Sequence, residues 1–333
     1  MVSSSGKLAT AAASHDIAAR LAGLTGWDVG ARGGVVEGWR GALPLLEVVA
    51  FDADADADAG SDDDVTWCPI GLAETSGTYD LHLLRRRSGS SLLPPNQALL
   101  GAFNTQDYCG YDGVAPINCL SPQDAISERG LAAPQLMKLD TQGTEISILS
   151  GFTEAQLAQI VAVELEVEFV ELYEDQPLFC DVNSFMVDRG FTLFDLRTHR
   201  AYRSDGVQPD AYLRRLGRTK GSRHQNAQLV AGDAIYFRIP DAGAAVDPIE
   251  VCRLVFSLCM YTFFEAALWA SETFTDDDDL SGSLAAMVNS AAGRPTIRER
   301  FGGRRVVGAL INRLRLPVFD HKVFYGRRSW PDQ

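Results

Sequence analysis

Apolar residues along this chain fall into short continuous runs that alternate with stretches of helical spacing. After a short helix within the first twenty residues, residues 25–28 read as a brief strand ending in Asp28. A Gly-rich turn from Gly30 to Gly34 and then a helix follow. Residues 45–51 (LLEVVAF) are an apolar run closed by Asp52, the pattern of a strand buried on both faces of a parallel sheet. Residues 65–73 and 78–84 predict two shorter strands, and residues 85–96 a loop too rich in Arg, Ser and Pro for core. Residues 136–139 predict another buried strand, ended by Asp140, and residues 143–149 start a helix with Ile146, Leu149 and Phe152 on one face. Residues 160–169 predict a strand carrying Glu164, Glu166 and Glu168 on one side. With no basic neighbour, that side reads as a solvated edge. A helix at 180–188 stopped by Gly190, a strand at 191–196 and a last strand at 229–239, its hairpin partner, complete the series.

Strands alternating with helices predict an α/β fold with a doubly wound sheet. Past Pro248 the texture changes to long helical runs with a basic stretch at 294–328, and no internal repeat is evident. The expected division is an N-terminal helical segment (1–24), a sheet-bearing domain (25–245) and a C-terminal helical extension (246–333). The 333 residues are 46% hydrophobic and 22% charged, which excludes disorder as the main state. A formal charge of -14 sets the chain against nucleic-acid phosphates. Much of the excess is local, with seven aspartates between 52 and 64 and four at 276–279. Six cysteines lie scattered without CxxC pairs or His at ligand spacing, and the first residues lack an apolar core. The expectation is a reduced, cytoplasmic protein with no metal site. Residues 251–269 are apolar, but Arg253 and Glu265 leave too short an uncharged core to span a bilayer. A buried or partner-facing helix is expected there; peripheral membrane contact and a homodimer through residues 254–264 stay open.

In an open parallel sheet, ligands sit beyond the carboxyl ends of the strands, where Asp28, Asp52 and Asp140 all fall. Asp52 stands about 20 residues past the glycine turn, the spacing at which a carboxylate accepts two ribose hydroxyls. The turn reads Asp28-x-Gly30-x-x-x-Gly34, and Arg32 occupies the place of the second glycine that a dinucleotide pyrophosphate needs. That argues against a nicotinamide-dependent oxidoreductase. An acid opening the turn suits a ligand carrying an ammonium group and a ribose, which describes S-adenosylmethionine; the plainer account is a helix-entry turn whose glycines avoid strain.

The segments Asp28-Val-Gly-Ala-Arg-Gly-Gly34, Phe51-Asp52, Ser90-Ser-Leu-Leu-Pro-Pro-Asn96 and Met137-Lys-Leu-Asp-Thr-Gln-Gly-Thr-Glu-Ile-Ser-Ile-Leu-Ser-Gly151 together resemble the FkbM family of S-adenosylmethionine-dependent methyltransferases. Glu164-Leu-Glu166, Tyr173-Glu-Asp-Gln-Pro-Leu-Phe179 and Gly190-Phe-Thr-Leu-Phe-Asp-Leu196 continue the likeness in order, over residues 25–240. The resemblance implies a class I, Rossmann-like methyltransferase acting on hydroxyls of sugars or natural products. It also implies that Asp28, Gly30 and Gly34 line the methionine end of S-adenosyl-L-methionine, with Ala31 in the same turn, and that Asp52 meets the ribose. Two positions depart from the family pattern. Arg32 stands where Asn is usual, placing a cation beside a sulfonium. Phe51-Asp52-Ala53 replaces Phe-Glu-Pro, shortening the reach of the carboxylate.

Methyl transfer needs in-line geometry above all, and a base helps where the acceptor is a weakly acidic hydroxyl. Asp140, Glu145 and Glu164 are the candidates, Glu145 being equally explained as an acid favoured in a helix's first turn. His199 is a further candidate base, whereas His82 and His224 have no partner spacing. Ser90 and Ser91 follow Arg85, Arg86 and Arg87, which read as an exposed basic loop. The expected function is O-methylation of a small-molecule or glycan acceptor. Its rival is an inactive methyltransferase-fold module that docks a partner through the C-terminal helices, a reading Arg32 favours.

Overall fold

A computed structural model describes residues 7–43, 45–53, 65–103, 110–201, 227–241 and 243–293. The aspartates at 54–64, Cys109, His224 and the basic stretch at 294–328 lie outside the described residues. Strands β1 (Thr25–Val29), β2 (Glu47–Phe51) and β3 (Val65–Cys68) precede an insertion of β4 (Gly71–Leu72), β5 (Gly77–Leu84) and β6 (Tyr111–Leu120). Strands β7 (Leu136–Leu139), β8 (Ala162–Glu168), β9 (Phe191–Ala201) and β10 (Gln228–Arg238) follow. Seven strands form one sheet in the order β3-β2-β1-β7-β8-β10-β9, and β4-β6-β5 form a second, smaller one. In the large sheet only β10 runs antiparallel to its neighbours. The strand order turns back between β1 and β7, which places the switch-point crevice at their carboxyl ends.

The helices are α1 (Lys7–Ser14), α2 (Gln97–Ala102), α3 (Pro122–Arg129), α4 (Glu145–Ser150), α5 (Glu154–Leu157) and α6 (Phe179–Asp188), then α7 (Pro248–Met260), α8 (Phe264–Thr273) and α9 (Asp278–Ala291). Residues from α3 to α6 pack on one face of the large sheet, against Trp27, Phe51, Met137, Leu139, Val163 and Leu165. The opposite face, through Val48, Ala50, Leu136, Ala162, Ile235 and Phe237, shares one core with α1, α7, α8 and α9. Burial on both faces is why β2 and β8 read as nearly unbroken apolar runs.

The helices expected after Pro248 do form as far as the structure describes them, and α7 lies inside the core with nine consecutive-to-neighbouring residues from Val251 to Met260 buried. Its apolar side chains pack into the core that covers this face of the sheet. Among the described residues, no helix is long and apolar enough to cross a membrane.

Three expectations are corrected. The run at 65–73 is not one strand: Pro69 breaks the ladder, and β3 and β4 belong to different sheets. After the glycine turn comes only a 3-10 helix, Glu37–Ala42, since Gly38 and Gly41 weaken a longer one. The acidic side of β8 is not a solvated edge, because Glu164 and Glu168 are 6% and 2% exposed. β6 was not anticipated; Gly113 and Pro116 interrupt its pattern, and pairing with β5 supplies what propensity lacks.

Replacing Phe256, fully buried in α7, with Ala should lower the unfolding free energy by about 3–5 kcal/mol. Denaturant melts followed at the sheet should shift in one cooperative transition; an unshifted main transition would mean that α7 does not share the sheet's core.

Candidate active site

Asp28, the penultimate residue of β1, is 1% exposed, and its Oδ2 accepts the Val36 N–H at 2.9 Å, drawing the far end of the glycine turn down onto the strand. Within the turn, Gly30 and Ala31 donate to the Phe51 carbonyl at 2.9 and 3.0 Å, and Gly34 donates to Ala31. Gly30 has φ +81°, and a Cβ there would lie 2.1 Å from the Asp140 carbonyl oxygen. Only glycine lets the ends of β1 and β7 come this close.

Above that contact lies a cleft of about 800 Å³, counting its open mouth. Gly30, Asp52, Asp140 and Thr141 line it on the side of the large sheet, Leu72, Leu81 and Cys119 on the side of the small one, and Arg87, Ser88 and Ser90 at the rim. Its lining of apolar side chains with a few converging polar groups is that of a small-molecule site. Of the residues singled out in the sequence, Gly30, Arg32, Asp52 and Asp140 meet in this cleft with Arg87, Ser90 and Ser91. Asp28 and Ala31 are buried behind the turn, Gly34 is outside the lining, and neither Glu145 nor Glu164 reaches the cleft.

Glu145 is fully engaged by its own turn. Its Oε1 accepts from the Thr141 N–H at 2.8 Å and the Thr141 hydroxyl at 2.9 Å, and its Oε2 accepts from the Gly143 N–H at 3.0 Å. Gln142 and Gly143 both take positive φ, and the Ser91 hydroxyl donates to the Gln142 carbonyl at 2.8 Å. Ser91 therefore ties the 90–96 loop to the 141–145 turn and is not placed as a nucleophile. The Tyr173 hydroxyl donates to the Gly89 carbonyl at 2.6 Å and lies 2.9 Å from Gln142 Oε1, so the same turn is held from a third segment.

Beneath the cleft, sheet register sets Asp28, Lys138 and Glu164 side by side on β1, β7 and β8. The Lys138 Nζ is 3.8 Å from Asp28 and 3.2 Å from Asp140. Burial lowers the Lys138 pKa, but Asp140 and Asp28 outweigh it and the net shift is upward, so the ammonium stays charged. Burial pushes the Asp28 carboxyl up, against the opposing pull of Lys138 and the Val36 amide. For Asp140 burial is again the largest influence, yet Lys138 and the hydrogen bonds of Glu166 and Gln142 prevail and hold its pKa down. Lys138 was missed in the sequence; the signal was a lone lysine in a four-residue strand otherwise made of Leu and Met.

Glu164 faces the interior, hydrogen-bonded to the Tyr261 hydroxyl, which also accepts the Trp39 indole N–H at 3.1 Å. Arg197 lies 3.7 Å from Glu164. Burial raises the Glu164 pKa, and it pushes Glu168 up to about 9, helped by Glu145 and Asp140. His199 pairs with Asp233 at 2.9 Å on an exposed stretch of β9 and does not line the cleft. Arg87 is paired with Asp112 at 2.9 Å at the rim. Among the described residues, no group of three or more His, Cys, Asp or Glu is arranged to hold a metal ion.

Residues 28–193 match the family model described as Methyltransferase FkbM domain. That span opens at Asp28 and contains the glycine turn, both cleft aspartates, the 141–145 turn and the clasping Tyr173. No curated protein matches the chain at a significant level.

Exchanging Lys138 for Met should destabilise the fold by about 3–5 kcal/mol at neutral pH, since it strands Asp28 without its counter-charge. The deficit should shrink in acid, where Asp28 can take a proton; an equal deficit at both pH values in denaturant melts would contradict the pairing. Glu168 titrates near 4.5 unfolded and about 9 folded, so its contribution is fully present below 4.5 and is lost as pH rises toward 9. Glu168→Gln should therefore melt progressively higher than the wild type as pH is raised through that window, and parallel melting curves would refute the assignment.

Proposed function

We propose, from the match of residues 28–193 to the FkbM methyltransferase domain, that the chain is an S-adenosylmethionine-dependent O-methyltransferase acting on a sugar hydroxyl of a glycan or natural product. The observation that carries this reading is the meeting of Gly30, Asp52 and Asp140 in one cleft at the switch point of the sheet. The donor set fits the cofactor. A Gly30 without a side chain leaves room at the wall, the Asp52 carboxylate can accept two ribose hydroxyls, and Phe51, Ile70 and Leu72 offer apolar surface to an aromatic base. When bound, S-adenosylmethionine supplies an electrophilic methyl group on a sulfonium.

The chain's own residues do the rest. Asp140, held ionised by Lys138, receives the hydrogen bond of the acceptor hydroxyl, orients its oxygen and takes its proton as the new bond forms. Glu145 keeps the 141–145 turn in shape, and Glu164 acts through Tyr261 and the buried face of the sheet. Phe51 and Leu72 keep water from the cleft's inner wall. Selection of a sugar rests on the implication of the resemblance, joined to a rim of serines and Arg87 that can hydrogen-bond a polyol.

One observation favours a non-catalytic module, since Arg32 lines the cleft and would stand near a cationic sulfonium. Calorimetry with S-adenosylmethionine and S-adenosylhomocysteine separates the two readings. The wild type should bind both, and Asp52→Ala should weaken binding by about 10- to 100-fold, the worth of a charge-assisted hydrogen-bond pair. No heat from either ligand in the wild type and in Arg32→Asn would favour the module, and heat from NADH instead would overturn the family-based chemistry.

A further inference from the structure

Asp140 does not stand alone at the cleft wall. Glu166, the neighbouring position on β8, is in hydrogen-bond contact with it, and the Gln142 amide bridges the two, donating to Asp140 Oδ1 at 2.9 Å and to Glu166 Oε2. Two carboxyl groups in hydrogen-bond contact cannot both be ionised; one of them must carry a proton between them. The surroundings decide which. Lys138 on β7 lies 3.2 Å from Asp140 and donates to it, so the negative charge belongs there.

Glu166 has acids around it. Glu164 and Glu168 flank it on β8, Glu145 approaches from α4, and Asp233 is its register partner on β10. The cation on that side, Arg197 on β9, is engaged with Glu164 at 3.7 Å and Asp195 at 3.5 Å. We infer that Glu166 is a positioning residue that holds the shared proton and donates it to Asp140, so that Asp140 is the ionised member of the pair at the cleft wall. Burial and the charges of Asp140 and Glu168 push the Glu166 pKa far up, in the same sense.

The inference rests on the proposed function for its catalytic meaning. In that reaction the acceptor O–H bond breaks as the O–C bond forms and the C–S bond breaks. The hydroxyl proton goes to Asp140, the pair passes from one proton to two, and one is then lost to water. Gln142, fixed by Tyr173 and by the Ser91 hydroxyl on its carbonyl, keeps the two carboxyls in register.

Infrared titration of the free protein tests the pair without any acceptor. The wild type at neutral pH should show protonated-carboxyl absorption, part of which is lost in Glu166→Gln. A separate part should be lost in Glu168→Gln. In Asp140→Asn the Glu166 component should persist but titrate at lower pH, because the neighbouring negative charge is gone; a merely structural glutamate would not shift. An unchanged absorption in Glu166→Gln, or an unmoved titration in Asp140→Asn, overturns the inference. Calorimetry of the wild type with S-adenosylhomocysteine, run in parallel, tests the cofactor reading independently, and the absorption decides the pair whichever way that result falls.

Discussion

The row Asp28, Lys138, Glu164 is the constraint on which the site depends. Three parallel strands place alternating charges next to one another on the face that also carries Val48, Leu136 and Ala162. An ammonium in such a place is tolerated only because carboxylates flank it, and the carboxylates are tolerated because of the ammonium. The row fixes the lateral register of β1, β7 and β8, since a slip of one residue would send each charge into the opposite, wholly apolar face. It also sets the charge at the cleft wall. Lys138 reaches past the row to Asp140 and keeps that carboxyl ionised while its neighbours are pushed toward the neutral form.

The cleft itself follows from a close approach of backbones. Gly30 meets the Asp140 carbonyl where any side chain would collide, so β1 and β7 end side by side and the chain leaves them in opposite directions. Asp28 then works from below, where its carboxylate accepts the Val36 N–H and holds the turn. The 141–145 turn, with two successive positive φ values, is stabilised by Glu145 inside it and by Ser91 and Tyr173 from two distant segments. Strain of this kind persists where neighbours over-determine it, and here the neighbours are the segments that line or border the cleft.

The two additions to the large sheet have different uses. The small sheet of β4, β5 and β6 presents Leu72, Leu81 and Cys119 to the cleft and forms its outer wall. Helices α7 to α9, together with α1, cover the sheet's other face, and α7 brings Tyr261 to its end, where Trp39 and Glu164 join in hydrogen bonds. The apolar character of α7, which in isolation resembles a surface or membrane element, is that of a core helix.

Local pattern was enough to read the strand ends, because an acid closing an apolar run marks a carboxyl terminus of a buried strand whatever lies beside it. Asp28, Asp52 and Asp140 were legible in this way, as were the alternation of strands and helices and the glycine turn. Gly30 was legible as a residue but not as a contact, since the carbonyl it accommodates is 110 positions away. The role of Lys138, the burial of Glu164 and Glu168, and the pairing of Glu166 with Asp140 were decided only by tertiary structure. A charge's cost depends on which charges stand beside it across strands, and strand neighbours in a doubly wound sheet are not neighbours in sequence. The division of residues 65–73 between two sheets and the burial of α7 have the same origin: the chain supplies apolar stretches, and the sheet they meet determines what each one covers.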